Sequence, residues 1–294
     1  MVTNGDSAPP RKHVTGDQAT AVTTATGAAA ASSWLQERAG ADGRWLPDAQ
    51  ELARLRRAAH GHPVTGWRAW FDPAAGYLAM PADGPGDLAV ARDAASADAR
   101  DFVADSLASG GMVWIRDVDD HPVSAIAGVE VIRRLAVLER VGGAPGSPDP
   151  DIRRFEPDRD LPALAKLLRD AYDGTPDGWG SRRIAAEIAR DGFDPADIVV
   201  ARSADAHGEL DGAHWTMRRD EHTGEVHNLS VHPRARGRGL ARRLLDGGLA
   251  RLAAQGCDRV ILWVDEANEP AMHLYEMAGF TTAWVDALVT LPPA

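Results

Sequence analysis

A basic segment containing glycines is the most informative part of the sequence for chemistry. Residues 231–241 read VHPRARGRGLA, with Gly237 and Gly239 between a predicted strand and an amphipathic helix. Glycine lets the backbone approach a ligand closely, and the N–H groups that begin a helix bind phosphate oxygens. Arg234, Arg236 and Arg238 add positive charge to an otherwise acidic chain. The segment therefore predicts a binding site for a phosphorylated ligand.

Its spacing excludes two other phosphate-binding loops. No Lys-Ser or Lys-Thr pair follows Gly239, as the loop of nucleoside-triphosphate-binding proteins requires. The three-glycine dinucleotide fingerprint after the first strand of a βαβ unit is also missing. The remaining alternative is a basic surface turn without a ligand. The order of strand, glycines and helix favours the anion site over that alternative.

Composition limits the class of protein. The chain has 294 residues, 44% of them hydrophobic, which is enough for two domains with a core each. Its net charge of −11 argues against nucleic acid or an anionic membrane as the main partner. No run reaches the ~18 apolar residues of a membrane helix, and polar residues near the start, such as Asp6 and Asp17, predict that there is no signal peptide. The single cysteine, Cys257, suits a reducing cytoplasm.

Local composition divides the chain into four segments. Residues 1–33 are rich in Ala, Thr, Ser and Gly with almost no large apolar side chains, which predicts a disordered tail. Glycine and proline cluster in 142–150, which predicts a linker. These two segments leave a smaller domain, 34–141, and a larger one, 151–294.

Apolar periodicity predicts alternating strands and helices in the larger domain. The clearest helix is 240–255, which places leucines at 240, 244, 245, 249 and 252 along one face. The other predicted helices are 161–172, 181–190 and 270–278. The predicted strands are 152–155, 198–202, 212–218, 225–231, 259–264 and 281–291.

The sequence of the smaller domain resembles a degenerate repeat of the larger one. The triplet Gly-Asp-Leu at 86–88 parallels Gly-Glu-Val at 224–226, and Pro122 follows its strand as Pro270 follows the later one. The shared order supports an ancient duplication. In the first copy the stretch that corresponds to the basic loop, 95–100, has no glycine and carries Asp98, which would repel phosphate. We expect this copy to be degenerate.

Two motifs in the larger domain carry a family resemblance. RGRGLA at 236–241 matches the Arg/Gln-x-x-Gly-x-Gly/Ala pyrophosphate loop of the GCN5-related N-acetyltransferases (GNAT), and Asn268, Tyr275 and Phe280 match that family's last conserved helix and following turn. The resemblance implies an α/β (α+β) fold of two tandem GNAT-like domains, each a mixed central sheet flanked by helices, with the N-terminal copy degenerate. It also implies a cytoplasmic N-acetyltransferase with acetyl-CoA as co-substrate and a small-molecule amine as acceptor. We expect a monomer with no metal.

The same resemblance implies which residues hold acetyl-CoA. The strand before the loop would offer its backbone to the pantetheine arm, the loop would cradle the pyrophosphate, and the start of the last helix would line the other side. These coenzyme residues are Leu229, Ser230, Val231, Arg236, Gly237, Arg238, Gly239, Leu240, Ala241, Arg242, Asn268, Glu269, Pro270, Ala271, Met272 and His273.

Two residues are candidates for acid–base chemistry. The resemblance implies that Glu225 is the general base, directly or through a water, whereas the residue alone favours an exposed strand-end carboxylate, which is the alternative. Tyr275 is the candidate general acid for the coenzyme thiolate, because a phenol stays protonated at neutral pH, with a core tyrosine as the alternative. The first copy has Ala127 in place of this tyrosine. Four nearby histidines raise the question of a metal, but strand alternation puts His227 and His232 on opposite faces, so we expect none.

A narrower resemblance concerns the acceptor. AHWT at 213–216, GEV at 224–226 and LWVD at 262–265 resemble a tandem GNAT member that acetylates the cysteinyl amine of a cysteine–glucosamine–inositol pseudo-disaccharide. This likeness implies acceptor contacts from Asp177, Met217, Glu225, His227 and Trp263.

Several positions depart from that pattern. Met217 stands where the relative has a lysine, Trp263 where it has a tyrosine, and Ala49 near an acidic position. Another small amine, such as an aminoglycoside, an amino acid or a protein N-terminus, is therefore the alternative acceptor. A non-catalytic acyl-CoA-binding protein is a further alternative, which the intact Glu225 and Tyr275 disfavour.

Overall fold

The computed structural model describes residues 20–21, 25–42, 49–60, 67–72, 76–81, 86–90, 112–115, 130–142, 149–173, 181–189, 193–204 and 208–290. The chain divides into two compact units. One comprises Met1–Leu135 together with Trp284–Ala294, and the other comprises Ala136–Ala283. The second unit therefore begins before the glycine- and proline-rich segment 142–150, most of which lies outside the described residues.

Helices and strands account for most of the described chain. The helices are α1 (Ala25–Asp42), α2 (Ala49–Ala59), α3 (Pro157–Ala171), α4 (Ser181–Ile188), α5 (Leu240–Ala254) and α6 (Glu269–Glu276). The strands are β1 (Thr20–Ala21), β2 (Trp67–Asp72), β3 (Gly76–Pro81), β4 (Gly86–Val90), β5 (Met112–Ile115), β6 (Glu130–Val141), β7 (Ile152–Arg154), β8 (Ile198–Arg202), β9 (Leu210–Arg218), β10 (Thr223–Val231), β11 (Arg259–Asp265) and β12 (Thr281–Thr290). No helix among the described residues is both long and apolar enough to cross a membrane.

Helix α1 occupies part of the segment that composition assigns to a disordered tail. Alanine is the strongest helix former, and residues 25–33 contain five of them within the helix that runs to Asp42. Ala28, Ala31 and Leu35 recur at helical spacing and are buried with Leu55 of α2. Ala28 and Ala31 therefore pack together with Leu35 and Leu55, and this part of the segment predicted to be disordered is helical.

The strand pairing follows the same pattern in each unit. In the first unit the strand order is β1-β2-β3-β4-β5-β12, and in the second it is β6-β11-β10-β9-β8-β7. Each has consecutive antiparallel strands followed by one parallel pair, β4 with β5 and β10 with β11. Gly86 pairs with Val113 in one, and Gly224 pairs with Val260 in the other. This recurrence supports the duplication, which stays a prediction.

The elements predicted within 151–294 all have counterparts in the structure, with shifted ends. The largest shift is at α3, which begins at Pro157 instead of 161. Proline fits the first helical turn, and the buried carboxylate of Asp160 anchors that turn. It accepts two hydrogen bonds from the Arg153 guanidinium, at 2.6 and 2.7 Å, and one from the Glu156 backbone N–H at 2.9 Å.

Helices cover both faces of the second unit's sheet. His214 of β9 contacts α5, whereas the next residue, Trp215, packs with buried side chains of α3 and α4. Successive side chains of a strand point to opposite faces, so α3 and α4 lie on one face and α5 on the other. Leucines of α5 at 245, 249 and 252 join the core that also holds Tyr275 of α6. This packing holds α5, and the loop between β10 and α5, against one face of the sheet.

Candidate active site

The loop between β10 and α5 forms an open cradle of backbone N–H groups. Gly237 and Gly239 have φ angles of +74° and +72°, in the left-handed region that favours glycine, and a Cβ at either would meet no atom within 4 Å. Gly239 is the N-cap of α5 and offers no side chain to the first helical N–H groups. Those groups have no intrahelical partner, so they are available to an anion.

The arginines of this loop differ in whether their charge is already neutralised. Arg234, which the sequence predicts to add charge to the site, is instead bound to Glu209 and to Asp211, with 2.9 Å between its Nε and Asp211 Oδ1. Arg236 and Arg238 are exposed, and neither pairs with an acidic side chain in the part of the chain that the structure describes. Arg236 and Arg238 therefore supply the positive charge at this loop.

The first turn of α5 carries the last three predicted residues of the loop. Leu240 is buried and anchors the helix to the core, and Ala241 is half-buried. Arg242 is exposed, pairs with Asp246 at 3.0 Å and donates to the backbone oxygen of Met277 at 2.9 Å. Arg242 thus ties α5 to the end of α6 and contributes less free charge than the two preceding arginines.

Strands β10 and β11 separate after a short parallel pairing. Their pairing ends at Glu225 opposite Ile261. On its other side, β10 shifts register against β9 at His227, which is the sign of a β-bulge. Beyond this point one edge of β10 has no paired strand among the described residues, so its backbone can pair with an extended ligand. The predicted coenzyme residues on this edge are Leu229, Ser230 and Val231.

Glu225 is a buried carboxylate at the point where the strands separate, and it is only 5% exposed. Nε of Arg219 donates to its Oε2, and Nδ1 of His227 donates to its Oε1 at 3.0 Å. Burial raises the pKa of Glu225, but the Arg219 guanidinium and the His227 hydrogen bond hold the pKa below its ordinary value. Glu225 is therefore ionised at neutral pH, and the alternative of an exposed strand-end carboxylate is wrong.

His227 links Glu225 to α4. Its Nε2 lies 3.6 Å from Oε2 of Glu187, and its ring meets the Trp215 indole edge-on with 5.6 Å between centroids. The sequence predicts that Glu225 and His227 share a face, and their hydrogen bond confirms it. Sequence reasoning missed Glu187, although its position three residues after the buried Ile184 puts it on the inner side of the helix.

Met217 lies beside Glu225 on β9, and Trp263 of β11 lies against Arg219, the cation that binds Glu225. Met217 pairs with Glu225 in the register of β9 and β10 and is 8% exposed. The Trp263 ring on β11 lies against Arg219, with 5.8 Å from the guanidinium carbon to the ring centroid. The structure therefore brings together the predicted acceptor residues Met217, Glu225, His227 and Trp263, while Asp177 lies outside the described residues.

Tyr275 is buried on the inner side of α6, where its ring meets Phe280 edge-on at 5.7 Å. Burial raises the pKa of Tyr275, and the phenol of Tyr172 raises it further, so the hydroxyl stays protonated at neutral pH. The sequence does not single out Tyr172. Its hydroxyl accepts a hydrogen bond from Nδ2 of Asn228 at 2.8 Å, which ties this phenol to the open part of β10.

The start of α6 contains the remaining predicted coenzyme residues. Asn268 is the N-cap, and its Oδ1 accepts a hydrogen bond from the N–H of Ala271 at 3.3 Å. The half-buried residues pack against the core, and the exposed ones face outward. The half-buried residues are Ala271 and Met272, and the exposed ones are Glu269, Pro270 and His273.

The described residues contain no group of three His, Cys, Asp or Glu side chains placed to hold a metal ion. His214 is fully buried, and its Nδ1 donates to the backbone oxygen of Leu244 at 2.9 Å. Cys257 is buried, and burial raises the pKa of its thiol. It is therefore a core side chain rather than a thiolate nucleophile.

Comparison with known proteins agrees with this geometry. The model of the acetyltransferase (GNAT) family matches residues 161–280, which include the loop, Glu225 and Tyr275. A solved GCN5-related N-acetyltransferase from Sphaerobacter thermophilus superposes with a TM-score of 0.64 at 19% identity, covering 92% of this chain and 94% of that one. That likeness shows the fold: a mixed sheet flanked by helices.

Two relatives are similar in sequence. The mycothiol acetyltransferase of Tsukamurella paurometabola is 35% identical over 230 residues, which are 70% of this chain and 78% of that protein. The mycothiol acetyltransferase of Thermomonospora curvata is 36% identical over 192 residues, 62% of this chain and 63% of that protein. The chain thus spans less than two thirds of the second relative. The relative from Tsukamurella paurometabola is covered over more than two thirds of its length, and the family model matches residues 161–280. The chain therefore belongs to the acetyltransferase (GNAT) family.

Proposed function

We propose that this protein is an N-acetyltransferase that uses acetyl-CoA. The observation that carries the proposal is the start of α5, which has no side-chain cap. It follows β10, a strand with one open edge and with the buried carboxylate of Glu225 where that edge begins. Acetyl transfer from acetyl-CoA needs three parts. A helix start binds the phosphates, an open strand edge pairs with the amides of the pantetheine arm, and a base accepts the proton of the amine.

The residues present fit acetyl-CoA. The N–H groups of the first α5 turn, with Arg236 and Arg238, would hold its pyrophosphate, and the backbone of 229–231 would pair with the amides of its pantetheine arm. Bound there, acetyl-CoA supplies an acetyl group activated as a thioester. The buried apolar surroundings of Tyr275 would exclude water from the sulfur end.

Glu225 would accept the proton that the acceptor amine must lose. An ionised carboxylate attracts the ammonium form of the acceptor, and it takes the proton directly or through a water. Arg219 and His227 each donate a hydrogen bond to one of its two oxygens, and these bonds hold the carboxylate in one orientation. The neutral amine then attacks the thioester carbonyl, and a nitrogen–carbon bond forms while the carbon–sulfur bond breaks.

Tyr275 would return a proton to the departing thiolate. Its raised pKa keeps the hydroxyl protonated throughout the neutral range, so the proton is available when sulfur takes the electron pair of the broken bond. The nitrogen of an ammonium acceptor loses two protons on its way to the amide. Glu225 takes the first before the attack, and the second passes from the new amide nitrogen, directly or through a water, to the phenolate that Tyr275 becomes once it has protonated the thiolate. No covalent enzyme intermediate is needed.

For the acceptor, we propose the cysteinyl amine of cysteine–glucosamine–inositol. Its acetylation would be the last step of mycothiol biosynthesis. The names of the relatives support this substrate. The carboxylates of Glu225 and Glu187 on either side of His227 suit an ammonium-bearing acceptor. Met217 places an apolar side chain beside Glu225 where the resemblance leads one to expect a lysine, so another small amine is the alternative. We also propose that the enzyme works in the cytoplasm, where acetyl-CoA is available, as a monomer.

The test is direct acetylation of this acceptor. The protein is incubated with acetyl-CoA and cysteinyl-glucosaminyl-inositol, and the mass and fragmentation of the acceptor are followed, because the thiol of the acceptor would react with thiol-trapping dyes. We expect an N-acetylated product that falls at least about 100-fold in Glu225→Gln. The matched control is Glu221→Gln, which changes an exposed carboxylate on the nearby turn and leaves the rate unchanged.

Two other outcomes would redirect the proposal. Binding of acetyl-CoA with no product from this acceptor would move the search to a panel of small amines and protein N-termini. Binding without turnover of any amine, together with indifference to Glu225→Gln and Tyr275→Phe, would identify a non-catalytic acyl-CoA-binding protein.

A further inference from the structure

Arg219 lies directly after β9 and faces the site from the end of that strand. Its Nε donates to Oε2 of Glu225, and the two side chains are 19% and 6% exposed. The Trp263 ring lies 5.8 Å from its guanidinium carbon. A carboxylate and an indole face therefore hold the guanidinium in one place.

The charges around Glu225 make this arginine the decisive cation. His227 of β10 donates to Oε1, and Nε2 on the other side of the same ring lies 3.6 Å from Oε2 of Glu187 on α4. The residues paired with Glu225 on β9 and β11, Met217 and Ile261, do not titrate. Among the described residues that face Glu225, Arg219 is thus the one with a permanent positive charge.

The guanidinium also has donors to spare. It carries five N–H groups, and the one on Nε is used by Glu225. Its terminal nitrogens make no hydrogen bond to the residues that the structure describes, and the side chain keeps 19% of its surface exposed. A planar cation held against an indole can present these donors to hydroxyl oxygens of a bound molecule.

We propose that Arg219 is a positioning residue that fixes the carboxylate of Glu225, and that its terminal N–H groups bind hydroxyl oxygens of the acceptor. The first part concerns the protein alone. The second part rests on the proposed function, since it requires an acceptor rich in hydroxyl groups.

Three variants separate the two parts. Arg219→Met removes both the charge and the donors, and Arg219→Lys keeps the charge but loses the planar fork. Arg218→Met is the matched control, because Arg218 is exposed and, within the described part of the chain, donates only to the backbone oxygens of Asp220 and Glu221 in the adjacent turn. The pKa of Glu225 is measured by carbon-13 NMR titration of its carboxyl group, assigned with Glu225→Gln, and does not depend on activity.

For the positioning role, we expect the pKa of Glu225 to rise by about 1 to 3 units in Arg219→Met, because burial then acts without its opposing cation. It should stay low in Arg219→Lys and in Arg218→Met. An unchanged pKa in a folded Arg219→Met protein would overturn the positioning role.

Arg219→Met leaves a buried carboxylate without its cation, so folding is checked by circular dichroism. If the variant does not fold, Arg219→Met combined with Glu225→Gln decides the question. Recovery of the fold in the double variant supports the pairing. Failure of the double variant to fold shows that Arg219 acts independently of Glu225, and it overturns the proposal.

For the acceptor contact, we expect Arg219→Lys to raise KM for cysteinyl-glucosaminyl-inositol about 3- to 10-fold with little change in kcat or in KM for acetyl-CoA. An unchanged acceptor KM would overturn this part. If wild-type protein does not acetylate the acceptor, the acceptor contact falls with the proposed function, whereas the NMR titration still decides the positioning role.

Discussion

The imidazole ring of His214 occupies the space that a side chain at position 248 would need. A Cβ added to Gly248 would lie 2.1 Å from Cε1 and Nδ1 of the ring, while the same Nδ1 donates to the backbone oxygen of Leu244. Helix α5 therefore meets β9 at a point where only glycine fits. This close approach fixes the helix whose first turn forms the anion cradle.

Gly248→Ala tests that approach. We expect a loss of about 1–3 kcal/mol in the free energy of unfolding, because the ring and the helix must move apart. The matched control is Gly247→Ala on the same helix, where a Cβ would make ordinary contacts of 3.4 Å and 3.6 Å with Ile152 and Val199. That change should leave stability unchanged or raise it by up to ~1 kcal/mol, since alanine favours helices. Equal effects in urea unfolding would contradict the packing argument.

The burial of His214 predicts a dependence of stability on pH. Burial lowers the pKa of His214 from 6.5 to about 4, so the unfolded chain takes up this proton first as the pH falls. The contribution of the neutral ring is complete above about pH 6.5 and is lost as the pH falls toward 4, by about 3 kcal/mol in all. Urea unfolding across this range should show a steeper loss in wild type than in His214→Gln. Parallel curves would show that the ring is not buried in its neutral form.

The loop arginines should divide into a binding pair and a structural residue. Arg236→Ala with Arg238→Ala removes the two charges that lack acidic partners, so we expect the Kd for coenzyme A to rise at least about tenfold and to depend less on salt. Arg234→Ala should leave the Kd within about twofold, because Glu209 and Asp211 already neutralise that charge. Titration calorimetry at two ionic strengths measures both. A larger effect from Arg234→Ala would reverse the assignment.

Tyr275→Phe should separate chemistry from binding. Removing the hydroxyl leaves the ring that packs on Phe280, so we expect unchanged affinity for coenzyme A and a fall of about 100-fold in kcat. Steady-state kinetics with a calorimetric measurement of affinity tests this. An unaffected kcat would mean that the thiolate leaves without a proton from Tyr275, and the tyrosine would then be a core residue only.

The parts of the site that sequence predicts are those that lie close together along the chain. The loop at 236–241 is a contiguous motif, and Glu225 and His227 are two residues apart on one strand. Arg219, Glu187 and Tyr172 belong to no local motif and were missed. Each reaches the site through a different element, the end of β9, the inner side of α4 and the C-cap of α3. Such contacts depend on which faces meet, and a single sequence carries no direct signal of that.

Periodicity and glycine act within a few residues, so the sequence predicts the alternating elements of residues 151–294 and the glycine turn before α5. The candidate base and acid come from the family resemblance of the motifs around them. Which charged side chains are neutralised by an ion-pair partner depends on the tertiary structure. Arg234 and Arg238 are four residues apart in one basic run, yet only Arg234 meets Glu209 and Asp211. Glu225 keeps its charge despite burial because Arg219 and His227 fold back onto it. Charge state follows from neighbours in space, and the fold chooses those neighbours.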